Sequence, residues 1–248
     1  MTINSPDIER RFSGVIRLYG SEKFKIFQSS HVCIAGIGGV GSWVAESMAR
    51  HGLGHITLID MDHIAESNIN RQIHALESNL GKSKVEAMRL RILDINPNCK
   101  IYCHDYFLDE ENIPNLISEN FDFVIDAIDQ TKIKILLAEY CLENSIKFIM
   151  NGGAGGKINP QLIKLDTLSK TFGDPLLVKI RQYFNKKNKL TNGKIKIPTV
   201  FSPEAMIKPK KNDLVEPLSG LNCSGYGSSV NVTSSFGFLT ASYVLSNL

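Results

Sequence analysis

Three glycines spaced G-x-G-x-x-G, at Gly36, Gly38 and Gly41, follow the apolar run HVCIAG and precede SWVAESMARHGLG. Few sequence features restrict a fold more. In the segment that follows the triad, the apolar residues Val44, Met48 and Ala49 recur at helical spacing, and Gly52 or Gly54 can end the helix. A strand thus delivers the chain to a tight turn where glycine lets the backbone approach a phosphate closely. The helix then turns its free N–H groups and positive dipole end toward that phosphate. HITLID reads as a second strand ending on Asp60, 19 residues after Gly41, where a carboxylate can accept hydrogen bonds from a ribose. Together these features predict an adenine-nucleotide site rather than a bare turn.

The alternation continues along the chain. KSKVEAMRLRILDIN is a second helix stopped by Pro97, KIYCHDYF a third strand, FDFVIDAID a fourth, QTKIKILLAEYCLENS a helix, and KFIMNGGAGG a strand running into glycines. Strands alternating with helices predict an α/β fold with a Rossmann-like, doubly wound, mostly parallel sheet covered on both faces. Residues 8–29 read as a helical leading arm. The 248 residues fit one domain: a core over 8–165, a basic, loop-rich insertion over about 169–222, and a returning terminal helix over 228–248. Within the insertion, DPLLVKIRQYFNKKNKL predicts a basic amphipathic helix, and KIPTVFS and AMIKPK short strands. No apolar run approaches the ~18 residues a membrane span needs. MTINSPDIERRF lacks the apolar centre of a signal peptide. A cytoplasmic protein with no membrane partner is expected.

The charged residues select the nucleotide. DMDHIAESNINRQIHALESNLGKSKVEAM gathers Asp62, Asn68, Arg71, Gln72 and Lys84 on the carboxyl side of the sheet, and DAID brings Asp126 and Asp129 to the same rim. Hydride transfer needs a nicotinamide slot and gains nothing from an extra arginine and lysine, whereas a triphosphate uses both. A carboxylate at that rim can hold Mg²⁺ on the phosphates. ATP with Mg²⁺ is therefore expected, its cradle formed by Gly36, Gly38, Gly39 and Gly41. The five cysteines are odd in number and include no C-x-x-C pair, so neither a disulfide framework nor zinc is expected. Cys33 reads as buried in its strand. Cys223, in LNCSGYGSS, has two open readings, an exposed nucleophile or a structural thiol. His74 and His104 have no visible acid–base partner. GGAGG, at 152–156, can bring backbone close to a ligand or an alkali metal.

GIGGVG at 36–41, DMD at 60–62, SNINRQ at 67–72, GKSK at 81–84 and DAID at 126–129 together resemble the ThiF-type adenylating domains of ubiquitin-activating-like enzymes. That superfamily includes the activators of sulfur-carrier proteins. The resemblance implies that Asp60 holds the ribose, Arg71 and Lys84 contact phosphates, Asp129 handles Mg²⁺, and Asn68 lies near the reacting phosphate. Arg71, Lys84, Asn68 and Asp129 are then the catalytic residues. The implied chemistry is attack of a carboxylate on the α-phosphate. Two departures separate the chain from sulfur-carrier activators: it lacks their zinc C-x-x-C pairs, and RFSGVIRLYG has Gly14 where their N-terminal motif has a second arginine. That arginine must come from Arg11 or Arg17, or be dispensed with.

A narrower resemblance covers nearly the whole chain. RFSGVIRLYG, GIGGVGSW, TLIDMD, NINRQIHAL, VIDAID, GGAGGKINP and CSGYGSSV are similar to segments of the bacterial tRNA threonylcarbamoyladenosine dehydratases. Membership implies ATP-dependent activation of a threonyl carboxylate on a tRNA adenosine, then cyclisation to a hydantoin. Such ring closure needs no covalent enzyme intermediate, which favours the structural reading of Cys223. It also implies a homodimer, and leaves sulfur-transfer partner proteins open. A tRNA substrate calls for a basic surface. Lys179, Arg181, Lys186, Lys187, Lys189, Lys194 and Lys196, interleaved with Tyr183 and Phe184, form a local concentration in a chain of net charge only +3, and Lys208, Lys210 and Lys211 follow. Alone they read as a solvated face; with the resemblance, Lys186, Lys187 and Lys189 become expected tRNA contacts. The competing functions are an adenylyltransferase for a sulfur-carrier protein, a nucleotide-dependent scaffold, and an NAD oxidoreductase.

Overall fold

The computed structural model describes residues 6–117, 120–187, 196–208 and 226–248. Its elements are α1 (Ile8–Tyr19), α2 (Ser21–Ser29), β1 (His31–Ala35), α3 (Gly41–Arg50), β2 (His55–Ile59), α4 (Lys84–Ile95), β3 (Lys100–His104), α5 (Ile113–Leu116), β4 (Phe123–Asp126), α6 (Thr131–Glu143), β5 (Phe148–Asn151), β6 (Lys164–Thr167), α7 (Pro175–Lys186), β7 (Pro198–Phe201) and α8 (Val230–Asn247). The strands form one sheet in the order β3-β2-β1-β4-β5-β7-β6. Every neighbouring pair is parallel except β6 with β7. The expected doubly wound α/β fold is thus observed.

Alternation along β1 shows how both faces are covered. Val32 and Ile34 join a core with Phe27 of α2, Val44 and Met48 of α3, Ile92 of α4 and Phe236 of α8. Cys33 and Ala35 join a second core with Leu137 and Cys141 of α6 and Leu177, Ile180 and Phe184 of α7. A strand packed on both sides must be apolar throughout, and Val32 through Ala35 are fully buried.

The leading arm is two helices rather than one. Gly20, at φ +85°, adopts a backbone that breaks the helix and lets α2 fold back. The terminal helix returns as expected: α8 lies on α3, where a Cβ on Gly237 would stand 2.7 Å from Trp43 Cβ. Within residues 169–222 the expected helix appears as α7 and the strand expected in KIPTVFS as β7, which sits between β5 and β6 inside the sheet. AMIKPK contains no strand over 205–208; its last two residues lie outside the described ones. Among the described residues no helix is long and apolar enough to cross a membrane.

One charged group helps hold α3 against α4. The buried Glu46 carboxylate accepts from Arg50 Nε at 2.7 Å, and from Arg91 Nε and Nη2 at 2.7 and 3.1 Å. Charge-assisted bonds of this kind contribute more than neutral ones. Glu46→Ala is expected to lower the unfolding free energy by about 2 kcal/mol, read from urea denaturation; an unchanged midpoint would show that the helices pack independently of this carboxylate.

Candidate active site

In an open α/β sheet a ligand sits beyond the carboxyl ends of the strands where the chain order reverses. Here that point lies between β1 and β4. Ala35 is level with Ile59 of β2 and with Asp126 of β4, so the three strands end together. The chain leaves β1 through Gly36 at φ +90°. A Cβ on Gly36 would meet the Ala127 carbonyl at 2.8 Å, and one on Gly41 the Gly36 carbonyl at 1.8 Å. Glycine is therefore required at both. At Gly38 the nearest atom to such a Cβ is Gln72 Nε2, 4.0 Å away, so the middle of the loop is open to a ligand.

Asp60 anchors the loop from the next strand. Its Oδ2 accepts from Ile37 N at 2.6 Å and its Oδ1 from Asp62 N at 2.9 Å. Burial pushes its carboxyl pKa up, while Lys84 and those two amides pull against that shift. Lys84 opens α4 and is buried; Nζ lies 2.7 Å from Asp62 Oδ2 and 3.8 Å from Asp60 Oδ1. A cation held between two carboxylates can exchange Asp62 for a phosphate oxygen.

Arg71 and Gln72 come over the loop from the other side. A Cβ on Gly39 would stand 3.3 Å from Arg71 Cδ and 3.2 Å from Thr233 Cγ2 of α8. The guanidinium is steadied by bonds from Nη1 to the Ser67 carbonyl at 2.7 Å and to Asn70 Oδ1 at 2.9 Å. Trp43 Nε1 donates to the Arg71 carbonyl at 2.9 Å. Gln72 is buried, yet among the described residues its Oε1 has no hydrogen-bond partner, and neither has Ser42 Oγ at the start of α3. Buried polar atoms without partners are costly, and both flank the loop where a ligand would satisfy them. Asn68 is partly exposed; its Oδ1 accepts from Ala65 N at 3.1 Å, shaping the turn that leads to Arg71. Ser42 and Trp43 fall within GIGGVGSW but receive no role from the sequence, and Thr233 lies in no motif that sequence reasoning uses.

The two expected rim carboxylates part company. Asp129 is exposed at the rim. Asp126 is not: it is fully buried and paired with the equally buried Lys134, Nζ to Oδ2 2.8 Å. Period-two alternation in DAID could not reveal that an interior lysine, four residues into α6, claims the first aspartate. Among the described residues no group of three or more His, Cys, Asp or Glu could hold a metal.

Other candidates have structural duties. Arg11 Nη1 donates to the Asp94 and Ile95 carbonyls at the end of α4, so here it caps that helix and does not face the glycine loop. GGAGG is shaped by Asp174: a Cβ on Gly152 would lie 2.3 Å from Asp174 Oδ2, and Gly153 N donates to that oxygen at 2.8 Å. The carbonyls of Ser202 and Glu204 beside it receive the buried Lys157 ammonium at 2.6 and 3.3 Å. Burial pushes the thiol of Cys33 up, Cys99 and Cys141 to about 12, and Cys103 to about 11, so all four stay protonated. Cys223, Lys189, Lys194, Lys210 and Lys211 lie outside the described residues. Lys179 and Lys186 are exposed on α7, whereas Lys187 is tied to Glu139 at 2.8 Å and lies over the Tyr183 ring.

The ThiF family profile matches residues 12–202. The tRNA threonylcarbamoyladenosine dehydratase of Escherichia coli K12 is 42% identical, covering 96% of this chain and 93% of the relative. The crystal structure of that E. coli enzyme with ATP superposes with a TM-score of 0.86 at 41% identity, covering 98% of this chain and 95% of that one. Its AMP complex gives 0.87 at 40%, covering 99% and 96%. An adenylyltransferase and sulfurtransferase of Drosophila yakuba is 38% identical over only 46% of this chain and 25% of its own length.

His74 yields a test of the site's surroundings. It is fully buried, its two ring nitrogens have no partner among the described residues, and burial, then Lys84 and Arg91, lower its pKa to about 3. The unfolded chain takes up this proton below an ordinary value near 6.5, the folded chain only near 3. Stability is therefore retained above 6.5 and falls as pH drops through that window, by about 2 kcal/mol at pH 5. His74→Leu is expected to lose correspondingly less stability than wild type between pH 7 and pH 5 in urea titrations. Equal losses would show that His74 does not set the acid limb.

Proposed function

The chain belongs to the ThiF family and, within it, to the tRNA threonylcarbamoyladenosine dehydratases, and on that premise we propose that it uses ATP to convert threonylcarbamoyladenosine in tRNA to its cyclic hydantoin. The observation that carries this reading is the Lys84 ammonium between Asp60 and Asp62, facing a glycine loop flanked by Arg71 and Gln72. That arrangement suits a ribose and a chain of phosphates. A chain-long likeness to dehydratases, against a partial one to an adenylyltransferase and sulfurtransferase, favours a nucleoside carboxylate over a carrier-protein C-terminus as the activated group.

In this reading Asp60 accepts hydrogen bonds from the ribose, leaving its two amide contacts in place. Amides of the glycine loop and the N-terminus of α3 face the phosphates. Lys84 and Arg71 draw charge from the α-phosphate while the threonyl carboxylate attacks it and pyrophosphate departs. Asn68, at the turn before Arg71, orients the reacting phosphate. The ureido nitrogen beside the activated acyl group then closes the ring and expels AMP, so the carboxylate oxygen leaves on AMP. Bound Mg²⁺, held at Asp129, would neutralise charge on the departing phosphates. Lys179 and Lys186 on α7 offer cations for the tRNA backbone. Lys187 contributes only if it gives up Glu139. Lys189 belongs to the same basic run. We assign the protein to the cytoplasm, as a homodimer; sulfur-transfer proteins are candidate partners through the sulfur-carrier branch of the family.

Incubated with ATP, Mg²⁺ and tRNA bearing threonylcarbamoyladenosine, the protein is expected to release pyrophosphate and lower the nucleoside mass by one water. An unchanged mass rules the dehydratase reading out. Pyrophosphate exchange stimulated only by a small protein ending in Gly-Gly would favour the carrier-protein reading instead. Lys84→Met is expected to cut turnover about a hundredfold, the scale for losing a preorganised charge at a transition state; a rate within twofold of wild type would remove Lys84 from the mechanism.

A further inference from the structure

A buried charge pair lies directly beneath this site and no step above uses it. Lys134 and Asp126 are both fully excluded from solvent, with Nζ 2.8 Å from Oδ2. The same ammonium donates to the Ile128 carbonyl at 2.9 Å, and Asp126 Oδ1 accepts from Ile128 N at 3.0 Å. Both backbone groups of Ile128 are thereby tied to one pair. On one side of Ile128 stands Ala127, whose N–H donates to the Ala35 carbonyl at 2.8 Å and whose own carbonyl fills the space a Cβ on Gly36 would need. On the other side stands Asp129, exposed at the rim. From below, Asn151 Nδ2 donates to the Asp126 carbonyl at 3.0 Å, and the Thr240 hydroxyl donates to Asn151 Oδ1 at 2.6 Å.

A buried ion pair is a poor device for stability alone, since apolar side chains of similar volume often do as well. What apolar side chains cannot do is grip both the N–H and the C=O of a single loop residue. We propose that Lys134 is a positioning residue for the nucleotide site: acting through Ile128, it holds the loop that presents Asp129 at the rim and floors the glycine loop at Gly36. The inference rests on the ATP-dependent reading above. It adds that the metal-side carboxylate and the phosphate cradle are set by one interior cation.

The test is calorimetric binding to the full chain, with ATP titrated in Mg²⁺ and in EDTA, and AMP titrated in EDTA. Two variants are compared with wild type and with Asp129→Ala. Lys134→Met removes the ammonium; Asp126→Asn combined with Lys134→Met removes both charges, so a folded protein is obtained even where the single variant leaves an unpaired buried carboxylate. In variants whose circular dichroism matches wild type, the gain in ATP affinity on adding Mg²⁺ is expected to shrink about tenfold, the scale seen when supporting partners of a metal ligand are removed. AMP affinity in EDTA is expected to weaken as well, and adding Asp129→Ala to the double variant should reduce the Mg²⁺ gain no further. A folded double variant with wild-type Mg²⁺ gain and wild-type AMP affinity overturns the proposal. Were Asp129→Ala itself to keep the full Mg²⁺ gain, Asp129's metal role would fall; Lys134 is then judged on AMP affinity, where a loss supports it and wild-type binding sinks it.

Discussion

No side chain can stand at residue 41, because its first carbon would lie 1.8 Å from the carbonyl of Gly36. That exclusion lets β1 turn straight into α3, bringing the helix N-terminus to the carboxyl edge of the sheet. The rest is arranged around this turn. Asp60 grips it through Ile37 N, Ala127 closes beneath Gly36, and Arg71 and Thr233 close over Gly39. Four separate parts of the chain converge on one loop because its glycines have no side chains to keep them away.

Charge in this molecule is organised by depth. At the rim, Lys84 is shared between Asp60 and Asp62, a pairing open enough for a phosphate to compete. Beneath it, Asp126 and Lys134 are sealed together, and Lys157 is spent on the carbonyls of Ser202 and Glu204. His74 shares the depth but its ring lacks a partner among the described residues, and burial keeps it neutral. Lys84, though buried, is paired with the partly exposed Asp62 and so can meet a ligand; Lys134 and Lys157 fix backbone.

The legibility of the sequence follows the same division. The glycine spacing, the acid ending the second strand and the strand–helix alternation are local patterns, and the structure reproduces them with β1, α3 and β2 where the sequence puts them. Arg71, Gln72 and Lys84 were legible as a charged and polar cluster, since their segment follows directly from Asp60. Asp126 was not, because a residue's partner on the next helix leaves no mark on alternation. The sequence leaves the triphosphate arginine between Arg11, Arg17 and none, because it shows the charge of Arg11 but not the end of α4 that absorbs it. KIPTVFS was legible as a short strand and contains β7, but its place between β5 and β6 was not, because pairing with distant strands leaves no local mark.

By itself, then, the sequence determined the α/β class, the place where a nucleotide enters and the residue types that would greet it, because each depends on backbone geometry within a few tens of residues. Only the tertiary structure decided which charges remain available. Whether an aspartate faces solvent or a lysine is set by what packs against it from distant parts of the chain. Asp129 at the rim and Asp126 three residues earlier, sealed against Lys134, are the same side chain given different tasks by burial alone.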